Sequence, residues 1–198
     1  MLPFSQSCEN NKHPILEVLR DYLPVPARVL EVAGGTGQHA EFFSAELPWL
    51  YWQSTDIEEN VASLALRLAH AGRENLPPPL SFDVRQAHFA YAPVDVIFTA
   101  NSLHIMALTS VEDFFRHTHA LLKPTGYVII YGPFKYHGEF TTPSNAQFDQ
   151  WLKSRDLQSG VRDCESIIRM AADAHLQLIE DRSMPANNQC LVFQKRAT

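Results

Sequence analysis

A short apolar run that breaks into three glycines constrains this chain more than any other stretch: Val29-Leu30-Glu31-Val32-Ala33-Gly34-Gly35-Thr36-Gly37, followed by Gln38 and His39. The run reads as a strand, the glycines as a tight turn, and the residues after them as a helix N-terminus. Glycine serves such a turn because a Cβ blocks close approach of backbone to ligand and because positive φ is open to it. Between a strand and a helix, a turn of this kind cradles a nucleotide. Standing alone, so short a motif also leaves a glycine-rich surface turn open as the lesser alternative.

The pattern of the remaining chain favours the first reading. Residues 38–47 carry Phe42 and Phe43 and are predicted to be a helix that Pro48 stops; Leu50 to Thr55 reads as a second strand, with Asp56 just beyond it. Residues 58–71 repeat apolar positions at helical spacing and close at Gly72. Leu80 to Phe82 and Val94 to Thr99 are the next strands, ending at Asp83 and Asn101. Thr109-Ser110-Val111-Glu112 carries a capping signature for a helix reaching Leu122, and Lys123 to Gly126 turns the chain into a fifth strand, Tyr127 to Tyr131. Strands alternating with helices in this way predict a parallel sheet with helices on both faces. Glu31, Gly35, Asp56, Asp83, Asn101 and Gly132 all fall at or just past the carboxyl ends of the predicted strands, the edge where open α/β sheets bind ligands.

The ends of the chain are less regular. Pro14 to Leu23 is an amphipathic lead-in helix with Pro14 in its first turn, preceded by a polar segment that reads as a frayed terminus. Residues 133–155 break the alternation: an aromatic loop from Phe134 to Pro143, then a short helix that Ser144 is placed to cap. A capped helix from Asp163 to Ala174 and two strands, Leu176 to Arg182 and Cys190 to Lys195, complete the chain. The joint between those strands is too short for a helical crossover, so they are expected to pair antiparallel.

Composition narrows the class of partner. The 198 residues, 45% of them hydrophobic, show no repeat or linker and are read as one domain spanning 1–198. A net charge of −6 with no cluster of Lys or Arg argues against nucleic acid. No apolar run approaches membrane-spanning length and no signal-peptide pattern opens the chain, so a cytoplasmic protein with a small-molecule partner is expected. Three scattered cysteines, and histidines such as His117 and His119 that cannot share a helix face, give no metal site.

A parallel sheet closed by an antiparallel C-terminal hairpin resembles the class I S-adenosylmethionine-dependent methyltransferases. Leu30 to Gly37 is similar to that family's first motif, Asp56 to its ribose-binding acid, Asp83-Val84 to its adenine-edge position, Asn101 to its fourth-strand position, and Leu121 to Gly126 to its turn before strand five. The chain departs from the common pattern at Ala33 and Thr125, where glycine is usual. More closely, Asn11 to Leu16, Tyr131 to Phe134, Pro143 to Asn145 and Met184 to Asn188 resemble a functionally uncharacterised methyltransferase-like family of similar length, over nearly the whole chain.

That resemblance implies a Rossmann-like α/β fold with a mostly parallel seven-stranded sheet, S-adenosylmethionine as cofactor and S-adenosylhomocysteine as product. It implies cofactor contacts at Glu31, Gly34, Gly35, Thr36, Gly37, Asp56, Ile57, Asp83, Val84 and Asn101. For Asp56, helix capping competes with ribose binding. His104, Tyr131 and Asn145 are candidate catalytic residues: histidine ordinarily titrates near neutrality and can act as a base, although a structural histidine and a core tyrosine fit His104 and Tyr131 as well. Residues 1–24 are expected to act as a lid and lead-in helix and residues 133–155 as a substrate-side insertion. Asn11, Lys12, Lys135, Tyr136, Asn187 and Asn188 would then converge over the methyl, with a plain β-turn as the other role open to the last two. Two further functions compete: a nicotinamide-dependent oxidoreductase, since Gly35-x-Gly37-x-x-Ala40 fits that fingerprint, and a non-catalytic binding module.

Overall fold

The computed structural model describes residues 2–196. Helix α1 (Gln6–Tyr22) starts well before Pro14, which lies inside it; Ser5 caps the helix by accepting from the Cys8 amide. The polar segment expected to fray is therefore helical. Proline at position 14 leaves the Asn10 carbonyl without its intrahelical donor, and contacts to the next helix along the chain hold the first half of α1 in place.

The alternating core follows: β1 (Ala27–Glu31), α2 (Gln38–Glu46), β2 (Leu50–Asp56), α3 (Glu58–Ala71), β3 (Leu80–Ser81), β4 (Val94–Ala100), α4 (Leu108–Leu121) and β5 (Leu122–Gly132). After it come β6 (Phe134–Tyr136), β7 (Glu139–Phe140), α5 (Pro143–Arg155), β8 (Arg162–Asp163), α6 (Cys164–Asp173), β9 (Leu176–Met184), a 3-10 turn (Pro185–Asn187) and β10 (Asn188–Lys195). Seven strands form one sheet in the order β3-β2-β1-β4-β5-β10-β9. β10 runs antiparallel to both of its neighbours, and the pairs among β3, β2, β1, β4 and β5 are parallel. The sheet is the expected one.

Both faces of the sheet are covered, so its central strands are apolar at successive positions. Alternation sends Val29, Phe98, Ile129 and Val192 to the face under α1, α2 and α3, where Ile15, Phe43 and Leu64 meet them. Leu30, Ile97, Ile130 and Leu191 point the other way, against Phe114 and Phe115 of α4 and Ile167 of α6.

Four local expectations are corrected. The aromatic loop after β5 is a small hairpin, β6 with β7, and β6 also pairs with β8. Thr142 rather than Ser144 caps α5, accepting from the Asn145 amide. α4 starts at Leu108, so the capping signature from Thr109 lies within the helix. Residues 123–126 are a bulged start to β5 rather than a separate turn, with Thr125 at φ +62°.

Candidate functional site

The carboxyl edge of β1 and β2 is built around Asp56. Its Oδ2 accepts from the Gly35 amide at 2.7 Å, and its Oδ1 accepts from the Ile57 amide and the Asn60 side-chain amide, each at 2.8 Å. A carboxylate offers about four lone-pair sites, so acceptor capacity remains on a residue only 5% exposed. Asp56 does not cap α3, whose N-cap is Ile57. It ties the glycine turn to the head of that helix instead.

Each glycine of the turn has its own reason. Gly35 sits at φ +57° with nothing within 4 Å of where a Cβ would point, an open cradle. A Cβ on Gly37 would lie 2.8 Å from Leu64 of α3, so this glycine lets α2 pack on its neighbour. Ala33 adopts φ +60° without being glycine. Thr36 is held through its carbonyl, which accepts from Arg67 Nε at 2.7 Å, and through its hydroxyl, which donates to Gln38 at 3.0 Å.

Glu31, expected among the cofactor contacts, turns into the sheet. It is 2% exposed, and its Oε2 accepts from Trp52 Nε1 at 3.0 Å and from Ser54 Oγ at 2.5 Å. Burial raises its pKa above the usual carboxylate range, against the lowering by Ser54 and Trp52. It props the turn from below, with Oε2 3.2 Å from the position of a Cβ on Gly34.

Beside the turn opens a cleft of about 400 Å3. Val32, Ala33, Asp56, Ile57, Phe82, Asp83 and Val84 form one wall, and Ile105, Met106, Ala107, Asp156 and Gln158 contribute to the other. Asp83 meets Arg85 there: the Arg85 amide and Nε both reach Oδ1 at 2.9 Å, which holds the carboxyl below its ordinary pKa. Asn101 ends β4 at φ +57°, its amide donating to the Tyr131 carbonyl. Asparagine tolerates that left-handed conformation better than most residues.

A second group of side chains gathers past the ends of β5 and β10. The Tyr131 hydroxyl lies beside the amides of Asn11 and Asn188, and burial pushes its pKa up to about 12. Asn11 Oδ1 is 2.6 Å from His39 Nε2, and both residues are buried. Asn145 donates from Nδ2 to the Asn187 carbonyl at 3.0 Å, and Asn187 donates weakly to Ser144. His104 stacks edge-on against Phe148 of α5, with Nδ1 3.7 Å from the position of a Cβ on Gly132. Burial lowers its pKa to about 4, with the nearby Arg162 charge acting in the same direction. Its ring nitrogens have no hydrogen-bond partner among the described residues.

The structure thus brings Asn11, Tyr131, Asn145, Asn187, Asn188 and His104 to one edge. Asn187 also serves the turn, at φ +59°, and the Asn188 side chain donates to Pro185 and Ala186 within it. Lys135 and Tyr136 do not join them. Tyr136 donates to Asp181 at 2.7 Å and packs with the α4 and α6 core, while Lys135 lies over Phe140 and lines a different cavity beside Asp163. The pairing of β6 with β7 and β8 carries both side chains away from the cleft.

The N-terminal segment covers the turn mainly through Ser5, Glu9 and Arg67, which the sequence does not single out. Gln38 Oε1 accepts from the Ser5 amide at 2.5 Å, Gln38 Nε2 donates to Glu9, and Glu9 accepts from Lys12. Arg67 joins Glu41 to the Pro3 carbonyl. The one available signal was the place of Gln38 and His39, directly after the last glycine. His39 stacks on Phe43, and burial lowers its pKa to about 4.

This architecture is shared with solved methyltransferases. An O-methyltransferase family protein from Burkholderia thailandensis matches with a TM-score of 0.82 at 19% identity, over 96% of this chain and 57% of that one. Human N-acetylserotonin methyltransferase in complex with S-adenosylmethionine matches with a TM-score of 0.80 at 16% identity, over 97% of this chain and 53% of that one. An O-methyltransferase family 2 protein from Planctomyces limnophilus DSM 3776, in complex with apigenin, matches with a TM-score of 0.73 at 17% identity, over 94% and 62%. The chain therefore spans little more than half the length of these neighbours, and at such identities the likeness is one of fold. The model of a family described as "Protein of unknown function (DUF938)" matches residues 2–195. The chain belongs to that family, and its fold is that of the class I S-adenosylmethionine-dependent methyltransferases.

Proposed function

We propose that this chain transfers a methyl group from S-adenosylmethionine to a small-molecule acceptor. The observation that carries the reading is the meeting, on one sheet edge, of the open cradle at Gly35, the unsaturated Asp56 carboxylate and the cleft of about 400 Å3. These features fit the cofactor chemically. Asp56 would accept from the ribose hydroxyls, Ile57 and Val84 would offer apolar faces to adenine, and Asp83, whose oxygens Arg85 holds in the free chain, would accept from its amine on release from that pair. Gly34, Gly35, Thr36, Gly37 and Asn101 edge the place for the methionine end. Neighbours in complex with S-adenosylmethionine and with apigenin support the reading of that cofactor and of a small-molecule ligand.

When bound, the cofactor supplies a sulfonium methyl that is already electrophilic, leaving orientation, exclusion of water and removal of one proton to the protein. Burial keeps His104 neutral and makes it a weak base, so its ring would position the acceptor by hydrogen bonding rather than hold its proton. Tyr131 and Asn145 orient the acceptor through neutral hydrogen bonds that bring no charge into a dry pocket. Asn11, Asn187 and Asn188 would close over it as a lid, whereas Lys12 is drawn to Glu9 and the Phe42 ring.

Titration calorimetry tests the reading. Binding of S-adenosylhomocysteine with no response to NAD(H) is expected; the reverse result assigns the cleft to a nicotinamide cofactor. Tight binding without turnover of any isotope-labelled methyl, across metabolite pools, makes the chain a binding module.

A further inference from the structure

The loop between β4 and α4 is held in an unusual way. Four consecutive carbonyls, those of Leu103, His104, Ile105 and Met106, are each met by a donor from residues 159–162. Arg162 Nε donates to Leu103 at 3.0 Å, the Gly160 amide to His104 at 2.9 Å, Ser159 Oγ to Ile105 at 2.7 Å, and Arg162 Nη2 to Met106. Arg162 Nη2 also reaches the Gln158 carbonyl at 2.9 Å. The same segment is tied to α5, where the Val161 amide donates to the buried Asp149 at 2.8 Å.

Arg162 is half-buried, yet it forms no ion pair among the described residues; every hydrogen-bond partner it has is a neutral carbonyl. A lysine ammonium is a compact point charge, whereas the planar guanidinium fork can bridge two separate segments at fixed geometry. The two segments joined here have distinct duties. Ile105 and Met106 wall the cofactor cleft from one strand of the clamp and Gln158 from the other, while His104 turns its ring to Phe148.

We propose that Arg162 is a positioning residue that couples the two halves of the site. By fixing the carbonyls of Leu103 and Met106 against residues 158–162, it sets the cleft wall and the His104 ring together. Filling the cleft then orders α5 and the acceptor side. The inference rests on the methyltransferase reading only for the identity of the ligand.

Hydrogen exchange by mass spectrometry and calorimetry with S-adenosylhomocysteine test it on the full chain, with Arg162→Lys and Ser159→Ala as variants. Arg162→Lys is expected to speed exchange in residues 102–107 and to weaken binding, each by about tenfold, with little change in the urea midpoint. Ser159→Ala, which removes a single bond, moves both in the same direction by less. In the unmodified chain the ligand is expected to slow exchange in residues 102–107 and 143–149 together. Unmodified exchange and affinity in Arg162→Lys, or protection of residues 102–107 without α5, overturns the proposal. If the unmodified chain does not bind S-adenosylhomocysteine, the methyltransferase reading fails, and the unliganded exchange rates of Arg162→Lys still decide whether the clamp exists.

Discussion

At the scale of single residues, Asp56 carries two duties that substitution can separate. Asp56→Ala is expected to weaken S-adenosylhomocysteine binding by about 1.5 to 3 kcal/mol, the range for hydrogen bonds to a charged group, and to lower stability by about 1 to 3 kcal/mol because the Gly35 amide loses its acceptor. Asp56→Asn keeps one acceptor oxygen and should retain more stability than affinity; a loss of stability with affinity unchanged would make the residue purely structural. His39 and His104 set the response to acid. Both have folded pKa values near 4, below the ordinary 6.5, so the unfolded chain binds their protons first. Their contribution is complete above about pH 6.5 and is lost as pH falls from there towards 4, by up to about 3 kcal/mol for each histidine. Urea midpoints at pH 7 and pH 4.5 should show the decline, and His39→Gln should flatten it. Asp56 was legible from its distance to the glycines. The His39 contact with Asn11 was not, because 28 residues separate the partners and no local pattern pairs the segments that hold them.

Among elements, the alternating core was legible because burial on both faces writes an apolar run into each central strand, and Gly72 marked the end of α3 correctly. The first half of α1, ahead of Pro14, and the hairpin β6–β7 were not. Proline inside α1 argues against helix locally; contacts from Gln38, Arg67 and His39, in other parts of the chain, outweigh that local preference. Pro14→Ala is accordingly expected to stabilise the protein by about 1 to 3 kcal/mol, by restoring the bond to the Asn10 carbonyl and removing the helix penalty of proline. An unchanged or lower urea midpoint would mean that α1 depends on the break. Residues 134–140 lack a clean period of two because β6 gains its partners from β7 and from β8, the latter more than twenty residues away, so their pairing is invisible to a local pattern.

For the whole molecule, the decisive feature is the place of β10. It follows every other strand in the chain and yet lies between β5 and β9, bonded to both. On a ribosome, β1 to β4 can pair as they emerge, whereas β5 and β9 must each wait with an unpaired edge until residues 188–195 are delivered. Those waiting edges are templates for association with other chains. A nascent chain stalled before residue 188 should therefore be aggregation-prone and open to protease at β9, and release of the last eight residues of the sheet should convert it to a resistant form in one step.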